Sequence, residues 1–182
     1  DYSHIKKVVK DIDDKVNEGT IISVISTMLP GTVREHIAPL VKRGRFVYNP
    51  YLIAQGTVEY DMENPEMIMI GTEDGEVNDV VEKLYELYDP MVKEGTRFEI
   101  GTWEEIEATK VFYNTFISAK LSLVNMIQDV SMKIGHMNVD VVTNALKNSS
   151  KRIMGPSYMT AGFGDGGGCH PRDNIALRVL NE

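Results

Sequence analysis

Trp103 opens a helical pattern that runs to about Ile134, and this one stretch limits the fold more than any other. Thr102 and Glu105 stand at capping-box spacing just before it. Ile106, Val111, Phe112, Phe116, Ile117, Ala119, Leu123, Val124, Ile127 and Val130 then give it a broad apolar surface. A helix of about 30 residues is about 45 Å long. That exceeds what one small core can cover, which predicts that part of it packs on a second chain or a further domain. Gly135 stops it, and Val139 to Leu146 forms a shorter helix beyond.

Ahead of Thr102 the pattern alternates. Tyr2 to Asn17 is helical, with Ile5, Val8, Val9, Ile12 and Val16 at helical spacing, and Gly19 closes it. Ile21 to Ser26 is a short, continuous β-branched run, which suits a strand covered on both faces. Pro30-Gly31 turns the chain into a helix reaching about Lys42. Arg45 to Tyr48, Met67 to Ile70 and Phe98 to Ile100 read as strands, with a helix over Asp79 to Leu87 between the last two. Helices and strands that alternate through short connections predict right-handed crossovers and a parallel sheet. Ligands of such sheets bind at the carboxyl ends of the strands, here Ser26-Thr27, Asn49-Pro50 and Gly71-Thr72.

The net charge of −8 argues against nucleic acid as the main partner, because neutralising phosphates needs a basic surface. No apolar run approaches the ~20 residues that span a bilayer, and no secretory leader is expected at the charged start. A lone cysteine cannot form an internal disulfide, which fits a reducing cytoplasm. His4, His36, His136 and His170 lie far apart, so no metal site is expected.

That cysteine, Cys169, follows five glycines within seven residues, Gly162 to Gly168, and precedes His170-Pro171-Arg172-Asp173. Glycine lets backbone approach a ligand with no Cβ in the way, so the thiol is either presented to a substrate or carried on a plain connector. The glycine spacing loosely matches a dinucleotide loop, but no strand precedes it and no clear helix is expected after it. On the long helix Lys110 and Asn114 sit four apart on one face. A partly desolvated lysine beside an amide stabilises an oxyanion or moves a proton; the plainer alternative is a surface lysine with its stem on apolar neighbours. Thr27 either bonds its own turn or meets a ligand at the strand end. The loop Asn49-Pro50-Tyr51-Leu52-Ile53-Ala54-Gln55-Gly56 is either a connector or a pocket wall.

Four segments in order resemble one family: Ser26-Thr27-Met28-Leu29-Pro30-Gly31-Thr32, Asn49-Pro50 through Gln55-Gly56-Thr57, Glu107-Ala108-Thr109-Lys110 through Asn114, and Gly162 through Asp173. The chain resembles the UDP-glucose/GDP-mannose dehydrogenases, which oxidise the C6 alcohol of a nucleotide sugar to the carboxylate with two NAD⁺ in succession. The resemblance implies an α/β fold: the later part of a Rossmann-like NAD domain over residues 1–101, then an all-α dimerisation domain over 102–182. It implies Cys169 as the nucleophile that passes through a thiohemiacetal and a thioester, with Lys110 and Asn114 on the oxyanion. It gives Asp173 the positioning of water with help from Thr27, and places Arg172 near the cofactor with Thr27 and Gln55. Tyr51, Leu52, Ile53, Ala54 and Gln55, with Arg152, Tyr158, Gly162 and Gly166, would contact the sugar nucleotide. A cytoplasmic homodimer through the long helix is the implied assembly, with no metal.

Two departures stand out. The family has glutamates where this chain has Tyr51 and Gln55, and Gln55 cannot accept a proton near neutral pH. The family favours an aromatic or apolar residue at Asp165. The resemblance further implies a fragment, without the family's first strand and glycine fingerprint and without its carboxy-terminal nucleotide domain. Two other readings stay open: a β-hydroxyacid dehydrogenase of the 6-phosphogluconate type, which needs no cysteine, and a non-catalytic helical dimer that has kept the scaffold.

Overall fold

The structure is a computed structural model, and it describes residues 1–162, 164 and 168–178. The chain divides into two units, Asp1–Phe116 and Ile117–Glu182.

In the first unit α1 (Ser3–Asp13) leads to β1 (Ile21–Val24), a π-helical turn (Val33–Ile37), a 3-10 turn (Ala38–Leu40) and β2 (Arg45–Tyr48). Then come α2 (Val58–Glu63), β3 (Ile68–Thr72), α3 (Asp79–Tyr88), β4 (Phe98–Thr102) and the start of α4 (Trp103–Ile134). The sheet order is β1-β2-β3-β4. β1 and β2 run parallel with Ile22 beside Phe46, and β3 and β4 run parallel with Ile70 beside Ile100. β2 and β3 are antiparallel, meeting at Tyr48 and Gly71, so the expected parallel sheet is two parallel pairs joined head to tail. Hydropathy carries no sign of that reversal, since a strand buries the same side chains whichever way it runs.

Alternate residues of the middle strands feed two cores, as the pleat dictates. Tyr48 and Met69 pack with Val9, Met28, Val33, Ile37, Trp103 and Ile106. Val47, Ile68 and Ile70 pack with Val80, Val81, Leu84 and Tyr88. Helical segments therefore cover the sheet on both faces, α1 and α4 on one and α3 on the other. β1 is the exception to double cover. Ile22 and Val24 are buried but Ser23 is exposed, because β1 is an edge strand with β2 as its sheet neighbour.

Other local corrections have local causes. The first helix ends at Asp13, whose buried carboxylate accepts the N–H groups of Lys42 (2.9 Å), Arg43 (3.1 Å) and Gly44 (2.7 Å). The helix expected to reach Lys42 ends at Leu40 as one wide and one tight turn, with Pro39 in the second. Proline has no N–H to continue an α-helical ladder, and its ring crowds the preceding turn. The six-residue α2 was not anticipated. α4 begins where the capping box predicts: Glu105 Oε2 accepts from Thr102 N at 2.7 Å, and Thr102 Oγ1 accepts from Glu105 N at 3.3 Å.

The second unit holds the rest of α4, α5 (Val139–Lys147) and α6 (Cys169–Arg178). Gly135 ends α4 in the left-handed region (φ 78°), and the buried Ser131 hydroxyl donates to Met137 O at 2.5 Å across that turn. Asn138 caps α5 by accepting from Asp140 N at 2.9 Å. α6 corrects the expectation that no clear helix follows the glycine-rich stretch. Among the described residues no helix is long and apolar enough to cross a membrane.

Candidate active site

Two loops at the strand ends of the first unit are held by one face of α4. After β1 the chain runs through Ser26, Thr27 and Met28. Tyr48 lies fully buried beneath this loop, and its hydroxyl donates to Ser26 O at 3.1 Å. Burial pushes the Tyr48 phenol up to about 12, so it remains a donor. Met28 is buried in the core, while Thr27 is exposed. Beyond it Gly31 takes a left-handed turn (φ 91°), which a Cβ would resist, and the chain meets Glu107. The Glu107 carboxylate accepts Gly31 N on Oε2 at 2.7 Å and Val33 N on Oε1 at 2.8 Å. Glu107 is wholly buried. Burial lifts its carboxyl above the usual range, the two N–H donors pull the other way, and Glu104 and Arg34 act with smaller, opposite effects.

The loop after β2 is anchored differently. The Asn49 side chain is buried, donates to Met69 O at 2.7 Å, and accepts from the Tyr88 hydroxyl. The Tyr51 and Tyr88 hydroxyls bond each other at 2.6 Å, and their rings meet edge to face. Tyr51, Leu52 and Ile53 line a small apolar recess with Met62, Met67 and Tyr88. Ala54 and Gln55 are exposed. Asp61 on α2 ties the loop's far end, accepting Ala54 N at 2.9 Å and the Thr57 hydroxyl at 2.7 Å.

Lys110 reaches this loop. Its Nζ donates to Tyr51 O at 2.6 Å, and burial holds the ammonium below the ordinary lysine value. It is thus the partly desolvated lysine rather than a solvated one. Asn114 lies one turn further along α4 and is exposed. Tyr113, three residues past Lys110, donates to Glu66 Oε2 at 2.6 Å just ahead of β3. Glu107, Lys110 and Tyr113, at three-residue steps, thereby fasten three successive segments to one helix.

In the second unit Cys169 is the first residue of α6 and a free, exposed thiol. Arg172 and Asp173 pair with each other, Nε donating to Oδ1 at 3.0 Å, and both are exposed. Arg152 and Tyr158 are exposed as well. Tyr158 sits at φ 66°, a region bulky residues seldom occupy, and its ring lies 6.4 Å from that of His170. Gly162 has φ 92°. Gly166 and Asp165 lie outside the described residues. Among the described residues no group of three or more His, Cys, Asp or Glu side chains is placed to hold a metal.

Sequence reasoning missed what Glu107, Tyr48, Asn49 and Tyr88 do. The available signal was Glu107 four residues past Trp103, an acid on the helix face that the large ring marks as inward.

The first unit is thus an open α/β sheet with clamped strand-end loops, and the second is a helical unit that carries an exposed thiol. Comparison with known proteins makes this specific. Residues 1–89 match the NAD binding domain of the UDP-glucose/GDP-mannose dehydrogenase family, and residues 104–182 match its central domain. The UDP-glucose 6-dehydrogenase of Rickettsia felis is 26% identical over the whole of this chain and 40% of its own length. The UDP-glucose 6-dehydrogenase TuaD of Bacillus subtilis is 27% identical over 97% of this chain and 38% of its own. Among solved structures, a ternary complex of GDP-mannose dehydrogenase from Pseudomonas aeruginosa superposes with a TM-score of 0.86 at 25% identity, over all of this chain and 44% of that one. The chain belongs to the UDP-glucose/GDP-mannose dehydrogenase family, and its first half is of the family's NAD-binding type. It spans about 40% of the length of the curated relatives it matches.

Proposed function

We propose that this chain forms part of an NAD-dependent nucleotide-sugar 6-dehydrogenase, which oxidises the C6 alcohol of a UDP-hexose or similar sugar to the uronic acid. The observation that carries the reading is the Lys110 ammonium, half-buried, low in pKa and bonded to the carbonyl of Tyr51. A lysine held in that way can turn its ammonium to a substrate oxygen and stabilise charge developing there. In this reading the NAD-type half ends near residue 101 and the dimerisation half begins at 102.

NAD, when bound, accepts the hydride from C6 in each of two oxidations. At the tips of the loops after β1 and β2, Thr27 and Gln55 offer an exposed hydroxyl and amide to such a cofactor. Arg172 adds a cation. Lys110 and Asn114 take the C6 oxygen as it gains charge. After the first oxidation the Cys169 thiolate adds to the aldehyde carbon as the carbonyl oxygen takes a proton, giving the thiohemiacetal. Loss of the second hydride and of the hydroxyl proton gives the thioester. Water, positioned by Asp173 and Thr27, then releases the carboxylate and restores the thiol. In this reading Tyr51, Leu52, Ile53, Ala54 and Gln55 of the first unit, and Arg152, Tyr158, Gly162 and Gly166 of the second, are the residues assigned to sugar-nucleotide contact. Tyr51 enters it through its carbonyl, because its hydroxyl is committed to Tyr88. Hydrolysis here therefore depends on Asp173 rather than on the loop after β2.

Exposed Phe112, Phe116, Leu121, Leu123 and Val124 on α4 support a homodimer through that helix, and a cytoplasmic setting is part of the same reading. A panel of UDP- and GDP-sugars offered to the full-length protein tests the assignment. At least one sugar is expected to drive NADH formation; silence across the panel overturns it and favours the scaffold reading.

A further inference from the structure

The buried carboxylate of Glu107 has no task in the proposed chemistry. Asp13 is the other carboxylate buried in the first unit, and it closes the distant turn at Lys42 to Gly44. Glu107 instead faces the loop that carries Thr27.

We propose that Glu107 is a positioning residue for Thr27, holding the loop after β1 in register with Lys110. This rests on the reading of Thr27 and Lys110 given above. Thr27 lies between two anchors. On one side Ser26 O accepts from the buried Tyr48 hydroxyl at 3.1 Å. On the other, Gly31 N and Val33 N each donate to a separate oxygen of Glu107, at 2.7 and 2.8 Å. Met28, between the anchors, is locked in the core. Thr27 is therefore a short exposed span whose ends cannot drift. Glu107 and Lys110 are three residues apart on α4 and so share a face. The helix that fixes the hydroxyl-bearing loop is the helix that delivers the amine to Tyr51 O.

The choice of a carboxylate fits this role better than plain packing. Burying a charge is costly unless every lone pair is used. A carboxylate sets a separate acceptor against each N–H, Oε2 against Gly31 N and Oε1 against Val33 N, with no donor of its own. A glutamine at 107 accepts from one and turns its NH₂ against the other, which frees one end of the span.

Two measurements decide. In the first, hydrogen exchange of the wild-type chain is followed by NMR. The Gly31 and Val33 amides are expected to be protected at least ~10-fold over their unprotected rates, and Glu107→Gln to lose protection at one or both. Unprotected exchange in the wild type overturns the clamp, and this reading needs neither a variant nor activity. In the second, a cycle of Glu107→Gln, Thr27→Ala and the double variant is run in the full-length enzyme on the sugar that gives NADH. Glu107→Gln is expected to lower kcat ~10- to 100-fold with KM for the sugar changed less than ~3-fold. The double variant is expected to match the worse single variant within ~2-fold, because Thr27 is already displaced. Multiplicative losses, or a loss confined to KM, overturn the positioning role. If no sugar gives NADH the function fails, while the exchange result still judges the clamp.

Discussion

Replacing Tyr88 by phenylalanine removes one oxygen from the network that anchors the loop after β2, and the structure sets the size of the effect. The Tyr88 hydroxyl donates to Asn49 Oδ1 and bonds the Tyr51 hydroxyl at 2.6 Å. Asn49 is 1% exposed, so its Oδ1 loses its donor where water does not reach. An unsatisfied buried acceptor costs about 1–3 kcal/mol. Tyr51 is only half-buried and borders the recess, so its hydroxyl adds about 0.5 kcal/mol. Tyr88→Phe should therefore destabilise by about 1.5–3.5 kcal/mol, or about 3–14 °C in Tm for a chain of this size. Tyr51→Phe leaves Tyr88 bonded to Asn49 and should cost under about 1.5 kcal/mol. The Tyr51–Tyr88 bond is lost in either single variant, so their sum counts it twice and overshoots the double variant by about 0.5–1 kcal/mol. Urea unfolding followed by far-UV circular dichroism, with m unchanged between variants, gives all three values. Tyr51→Phe as costly as Tyr88→Phe, or strict additivity, would refute the ordering of the network.

Three further outcomes follow from single side chains. The backbone N–H of Gly44, joined by those of Lys42 and Arg43, holds Asp13 below the ordinary aspartate value of 3.8. Its folded-state pKa is thus depressed, so its stabilisation is complete above 3.8 and fades as pH falls through the lower folded value; Asp13→Asn should flatten an acid-unfolding profile below pH 4, and an unchanged profile contradicts this. Carbon-13 NMR of the lysine Cε carbons should show Lys110 titrating below 10.5, the reverse of what a solvated amine would give. In Gly44→Ala the new Cβ would lie 2.6 Å from Ile22 Cδ1 and 2.9 Å from Thr20 O, so the edge strand must shift; a loss of about 1–3 kcal/mol is expected, and a neutral result would mean that β1 moves freely.

The elements that could be read from the sequence are those whose cause is local. The Thr102–Glu105 capping box and the uninterrupted apolar stripe behind it place α4 within a residue at either end. β2, β3, β4 and α3 announce themselves by run length and period. What could not be read depends on partners far along the chain. Glu107 bonds Gly31 across 76 residues, and Asp13 bonds Gly44 across 31. The reversal between β2 and β3 rests on which edges meet, which neither hydropathy nor propensity encodes. The π-helical and 3-10 turns at Val33–Leu40 lay between these limits, for Pro39 forbade a continuous helix and was open to view. In the site, Lys110 was found through its spacing from Asn114. The tyrosine pair behind Tyr51 was hidden because position 51 drew attention for the glutamate it lacks rather than for the partner it has.

The stoichiometry of NADH per sugar in the full-length protein, with and without Cys169, tests the central claim most directly. Two NADH for each sugar consumed are expected in the wild type, with the second oxidation abolished in Cys169→Ser. One NADH per sugar in the wild type, or two per sugar that persist without the thiol, would contradict a dehydrogenase that works through Cys169.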